Sequence, residues 1–335
     1  MIVSRPSRPM LPNAARPLGV AFDGRNPLPV LVAQARAAEA AGADGVWVSS
    51  HLFLRDPFTI ATAVLAATTR AHAALLAMSP HVMHPVHMAM AAATLDELAP
   101  GRVVLCVATG APNDLADAGV EPARPLRALR ESVEVVRLLL AGEPVTYKGE
   151  LFRVEGRRLG PGRHAVPIFL AATRPRTLEL AGAIADGVLL SNASSVEFVR
   201  ASLEHVARGA RGRRLRHAGL VYASMADREA DALGRFRRQL AITLRAPHHA
   251  ENLRLAGATM DQEAVRRAVA REDWAAAERL VSDDVVRRHT ASGTPAQVRA
   301  RLEAYRAAGL EELVLGGLYT PDETARAVSV ARGSA

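Results

Sequence analysis

Residues 94–110 read TLDELAPGRVVLCVATG, a complete passage from helix to strand to loop. Ala91, Leu95 and Leu98 recur at helical spacing and form one apolar stripe. Pro100 and Gly101 end the helix, because proline cannot continue it and glycine tolerates the left-handed turn. Val103 to Ala108 is an unbroken apolar run, the pattern of a parallel strand covered on both faces. The run closes on Thr109-Gly110, small residues that leave backbone N–H groups bare at the strand's C-terminal end. Ligands of α/β folds sit at such ends.

The rest of the chain varies this unit. Apolar runs at 18–22, 45–49, 73–78, 166–171, 187–191, 218–224 and 312–315 predict seven further strands. Helical patterns separate them, among them 27–41, 59–70, 175–184 and 194–208. Pro85 suits the first turn of the helix before Leu98, where its missing N–H costs nothing. In the helix predicted over 122–141, Leu126, Leu129, Val133, Val136 and Leu140 share one face. Residues 145–154 alternate around Lys148-Gly149 and read as a hairpin. No strand is evident over 227–290, which reads as a helical insertion broken near Pro247 and Gly257. Thr294-Pro295-Ala296-Gln297 then caps a helix ending at Gly309, and a last helix covers 322–331. Eight strands alternating with helices make residues 1–335 a single α/β domain, a (β/α)8 TIM barrel with a helical insertion late in the chain, in preference to a doubly wound sheet. Neither G-x-G-x-x-G after the first strand nor G-x-x-x-x-G-K-[ST] occurs.

Composition sets limits. The 335 residues are 49% hydrophobic but only 4% aromatic, so the core is built from Ala, Val and Leu. Net charge is +8, yet Lys148 is the single lysine among 42 basic residues, which points to coding bias rather than nucleic-acid binding. The densest basic run, 208–216, has no aromatics for base stacking and reads as a solvated helix end, or else an anion-attracting rim. The lone Cys106 falls inside a strand and packs. No apolar run approaches ~18 residues, so no membrane span is expected. Residues 1–16, with Pro6, Pro9 and Pro12, read as a flexible arm without a signal-peptide core, and a cytoplasmic protein is expected.

The predicted strand ends collect Ser50 and His51, Ser79 and His81, Thr109 and Gly110, Thr173 and Arg174, Asn192, and Gly316-Gly317. No two acids stand among them, so paired-carboxylate chemistry is not expected. His81, His84 and His87 run H-x-x-H-x-x-H, but Pro85 interrupts them between loop and helix, and no metal site is expected. No G-x-S-x-G elbow occurs. What remains is a pocket of small residues with one central histidine, suited to a phosphate-bearing ring cofactor. Backbone N–H groups of Ala172, Thr173 and Arg174, leading into a helix, would take its phosphate. A plain strand-to-helix turn explains Ala171-Ala172-Thr173 equally well.

The segments AAEAAGADGVWVSSH (37–51) with RDPF (55–58), HP (84–85), ATLDELAPGRVVLCVATG (93–110), PLRALRESVEVVRLLLAGEPVTYKGELF (125–152), PIFLAATRPRTLELAGAIADGVLLS (167–191) and SGTPAQVRARLEAYRAAGLEELVLG (292–316) resemble, in order, the bacterial-luciferase-like superfamily of flavin- and deazaflavin-dependent oxidoreductases. The chain is most similar to the branch related to methylenetetrahydromethanopterin reductase. The resemblance implies a TIM barrel, commonly a homodimer, binding coenzyme F420 or FMN. It implies that Ser50 and His51 lie beside the ring, and Leu76-Ala77 where many members hold a non-prolyl cis peptide. Ser79, Thr109-Gly110 and Ala171, Ala172, Thr173 and Arg174 would hold ring, ribityl chain and phosphate. Ser50 stands where many deazaflavin enzymes have Asp, Ala108 where Gly is frequent, and Met83 where Arg is common. Ala111 stands where the sugar-phosphate dehydrogenase branch has an acid, which argues against glucose-6-phosphate as substrate.

The expected activity is hydride transfer between F420 and a small organic substrate, with His51 as hydrogen-bonding or proton-transfer group. The alternatives are an FMN-dependent monooxygenase fed by a separate flavin reductase, and a non-catalytic flavin-binding barrel.

Overall fold

The computed structural model describes residues 15–334. Its frame is eight strands, each pairing parallel with the next: β1 (Leu18–Phe22), β2 (Gly45–Ser49), β3 (His72–Met78), β4 (Val103–Val107), β5 (Ile168–Ala172), β6 (Gly187–Leu190), β7 (Arg216–Met225) and β8 (Glu312–Gly316). β8 also pairs with β1, which closes the barrel. The strands have the alternation that closure requires. One set of side chains, including Ala21, Trp47, Ala74, Val104, Cys106, Phe169, Leu189, Ala218 and Val314, fills the interior. The intervening set, such as Val20, Val46, Val48, Leu75, Leu105, Leu170 and Leu315, packs against the helices. Two large rings, Trp47 and Phe169, meet edge to face in the interior with centroids 5.7 Å apart. Glycines make room for them: a Cβ on Gly19 would lie 2.9 Å from Trp47 Cδ1, and one on Gly187 2.4 Å from Phe169 Cζ.

One charge is sealed into this interior. Glu312, at the start of β8, is fully buried. Its Oε1 accepts from Trp47 Nε1 at 2.9 Å and lies 3.3 Å from His72 Nε2. Burial pushes its carboxyl up, but the charge and hydrogen bond of His72, with Trp47 and Arg216, outweigh this and hold it below its ordinary range. Cys106 is buried in the same interior and burial drives its thiol far up, as expected of a packing residue.

The excursion after the helix Pro125–Leu140 is an antiparallel pair, Val145–Lys148 with Arg153–Arg157. Its turn is held by buried Glu131, which accepts from the N–H groups of Glu150, Leu151 and Phe152 at 2.9–3.1 Å. Between β7 and β8 runs the helical insertion, from Glu229–Leu233 to Asp283–His289, around its own cluster of Phe236, Leu240, Leu244, Val265, Val281 and Val285. Two elements escape the sequence pattern. A six-residue helix, Pro112–Asp117, follows β4, and a three-residue strand, Ala291–Gly293, pairs with the end of β7. Of the arm read at 1–16, residues 1–14 lie outside the described residues; Arg16 pairs with Glu303, and its carbonyl accepts from Arg332 at 2.8 Å. Among the described residues no helix is long and apolar enough to cross a membrane.

Candidate active site

The apolar strands end where polar and small residues take over, and those ends share one face of the barrel. β2 delivers Ser50 and His51, β3 delivers Ala77 and Ser79, and β4 delivers Gly110. These five line one cavity of about 250 Å3. The Leu76–Ala77 peptide is cis. Leu76, Ala77 and Ala171 are half-buried and rest on the interior cluster, so they form its apolar upper layer. Ser79 is buried and its hydroxyl donates to the Thr109 carbonyl at 2.9 Å, tying the third and fourth loops together. Gly110 adopts φ +95°, and a Cβ there would lie 3.0 Å from Leu115 Cδ1 and 3.1 Å from Ser79 Oγ. The turn therefore calls for glycine on both conformational and spatial grounds.

His51 is exposed at the mouth, its Nδ1 3.5 Å from Asp114 Oδ2. Asp114 sits on the short helix Pro112–Asp117, begun by a proline at its first turn. His51 also borders a second cavity of about 120 Å3, lined by Asp23, Asn192, Tyr222 and Gly316-Gly317 among others. Asn192 Nδ2 donates to the Tyr222 hydroxyl at 2.7 Å, and Tyr222 stacks on Phe236 of the insertion at 4.9 Å. Two acids outside the strand-end residues read from the sequence, Asp23 after β1 and Asp114 on the helix after β4, line the two cavities that meet at His51.

The cavity beside His51 does not reach Ala171, Ala172, Thr173 and Arg174. These lie at the end of β5, the neighbour of β4, where Leu170 pairs with Val107. Ala172 is buried, Thr173 half-buried and Arg174 exposed. The helix that follows, Pro175–Ile184, has no side-chain cap, and the N–H groups of Thr177 and Leu178 turn back to the Arg174 carbonyl at 3.0 and 2.9 Å. By contrast, Ser195 caps the helix after β6. The insertion brings His248 into electrostatic reach: burial, then the Arg174 charge, lowers its pKa. It also clamps the next loop through buried Asn252, which accepts from Ser195 N at 3.0 Å and donates to Ala193 O at 2.7 Å.

Of the three-histidine run, His84 is spent as a helix cap, its Nδ1 accepting from Val86 N at 3.2 Å, with its ring against Phe152. Sequence reasoning missed Asp114, Asp23, His248 and Asn252. Pro112 was the available signal for Asp114, since proline opens helices. The other three are set by long-range packing that no local pattern reports.

A sequence model of the family described as luciferase-like monooxygenase matches residues 10–312. The chain belongs to that family. It is an enzyme. A 5,10-methylenetetrahydromethanopterin reductase of Archaeoglobus fulgidus is 30% identical over 302 residues, covering 86% of this chain and 89% of the relative. An F420-dependent glucose-6-phosphate dehydrogenase of Mycobacterium avium is 34% identical over 52% of this chain and 56% of the relative. Among solved structures, the coenzyme F420 dependent tetrahydromethanopterin reductase of Methanopyrus kandleri superposes with TM-score 0.85 at 23% identity, covering 95% of this chain and 97% of that one. An F420-dependent secondary alcohol dehydrogenase superposes with TM-score 0.79 at 22% identity, covering 96% and 98%. At these identities the superpositions establish the shared barrel.

Proposed function

We propose that this enzyme is an F420-dependent oxidoreductase that moves hydride between the coenzyme and a small organic substrate. The observation that carries the reading is the single cavity on which His51, Asp114, Ser50, Ala77, Ser79 and Gly110 converge. The donor set fits such a coenzyme. The half-buried Leu76, Ala77 and Ala171 offer an apolar bed for a flat ring, and Arg174, at the positive end of the helix that follows, offers a cation for a phosphate. Thr173 and Arg174 would hold that phosphate, with His248 beside them, and Thr109-Gly110 the chain between. The reductase and dehydrogenase relatives support chemistry of that kind.

When bound, F420 supplies a two-electron hydride carrier. The protein's own part is proton handling. With Nδ1 turned toward Asp114, the His51 Nε2 is the atom available to give a proton to, or take one from, a substrate oxygen or nitrogen. Phe53, Leu54, Val82 and Met83 line the same cavity and give its mouth an apolar rim for a substrate to cover. We also read the enzyme as a homodimer, which light scattering tests. FMN with a partner reductase is the second reading, favoured by the monooxygenase description of the matching family.

Titrating the purified chain with F420 and with FMN, followed by fluorescence, tests the proposal. F420 binding weakened by Arg174→Ser is the expected result. Binding of FMN with no affinity for F420 overturns it.

A further inference from the structure

A groove of about 1050 Å3 lies on the helical layer, away from the cavities around His51. Its floor is the helix Pro175–Ile184. Its sides are the first turns of Pro125–Leu140 and the end of Val196–Ala210 with the turn that follows. Six arginines line it, at positions 127, 130, 176, 208, 211 and 213, against one carboxylate, Glu179.

Three of the six are engaged. Arg127 pairs with Glu150 at 2.7 Å and Arg208 with Glu179 at 3.4 Å. Arg213 donates to the carbonyls of Gly182 at 3.0 Å and Ala185 at 2.8 Å, closing the end of the floor helix. Among the described residues Arg130, Arg176 and Arg211 have no ion pair and no side-chain hydrogen bond. Arg130 is half-buried nonetheless. Among the described residues no carboxylate pairs with any of these three guanidinium groups, and all three line one concavity. A concave wall of low dielectric focuses their field outward, where an anion relieves it.

The shape and chemistry choose among anions. At about 1050 Å3 the groove has room for an extended occupant as well as for a small anion. None of its lining residues is aromatic, so nucleic-acid bases find nothing to stack on. Leu126, Leu180 and Ala183 supply apolar contact for methylene groups instead. Guanidinium forks match carboxylates two bonds at a time. We propose that this groove docks a carboxylate-rich peptide segment of another protein.

The test is fluorescence anisotropy on the full chain at low salt. The probes are a labelled peptide of alternating glutamate and alanine and a labelled oligothymidine of equal charge. The peptide binds the native chain, binding weakens as salt rises, and the triple variant Arg130→Ser, Arg176→Ser, Arg211→Gly loses about tenfold in affinity. Arg228→Ser, which removes an exposed pair with Asp231 elsewhere, leaves affinity unchanged. The charge-keeping triple R130K/R176K/R211K, which guards against misfolding of the neutral variant, binds less tightly than the native chain because the forks are gone. Tighter binding of oligothymidine than of peptide, displacement of the peptide by free F420, or equal peptide affinity in the native chain and the neutral and lysine triples overturns the proposal.

Discussion

The buried Glu312 gives the sharpest stability prediction. Its carboxylate serves two partners at once, Trp47 Nε1 at 2.9 Å and His72 Nε2 at 3.3 Å, with no water access. Glu312→Leu keeps the volume but strands both partners. Breaking one side of a buried ion pair costs about 3–5 kcal/mol, a large share of the ~5–15 kcal/mol that holds a typical domain together. At roughly 1.4 °C per kcal/mol for a chain of this length, the melting midpoint falls by about 4–7 °C. The double variant His72→Leu, Glu312→Leu removes the pair whole and leaves just the Trp47 N–H without an acceptor, about 1–3 kcal/mol. It therefore melts above Glu312→Leu alone. Thermal unfolding followed by circular dichroism reads both. A Glu312→Leu chain that melts at or above the native midpoint, or a double variant that melts below the single one, refutes the reasoning.

Further predictions follow from the same geometry. His249 and His289 are buried and held neutral, pushed down to about 3 and about 4, in each case chiefly by desolvation, whereas the unfolded chain protonates them near 6.5. Their contribution is therefore complete above pH 6.5 and is lost as pH falls toward 4, and His289→Gln flattens the acid side of the stability curve in urea melts. Asp114→Asn, which removes the carboxylate facing His51, lowers turnover of F420 about a hundredfold while KM holds, in steady-state kinetics. Asn252→Ala leaves Ser195 N and Ala193 O without their buried partner, costs about 1–3 kcal/mol in the melt, and weakens F420 binding through the loosened loop. Gly317→Ala sets a Cβ 2.4 Å from Phe236 Cε1 at φ +80°, and limited proteolysis then cuts the insertion faster than in the native chain.

The barrel was legible because its strands are continuous apolar runs punctuated by Gly and Pro. Val103–Val107 and Gly45–Ser49 announce themselves, and each strand end names its loop residues. Ser50, His51, Ser79 and Gly110 were readable for that reason. Asp114 was not, since its short helix carries too few residues to show a period. Ala291–Gly293 is a strand because β7 lies beside it, not because of three small residues. The pairing of Glu312 with His72 joins residues far apart in sequence, and no local pattern marks either as interior. Arg130 and Arg176 fall in separate helices and Arg211 in the turn after a third, so the groove they share exists only in the fold.

The most direct measurement of the central claim is the absorption spectrum of the protein as isolated from a host that makes both F420 and FMN. Deazaflavin absorbance co-purifying with the chain, and bleaching when substrate is supplied to reduce it, is the result expected. A flavin spectrum with no deazaflavin, unchanged after soaking with excess F420, contradicts the account.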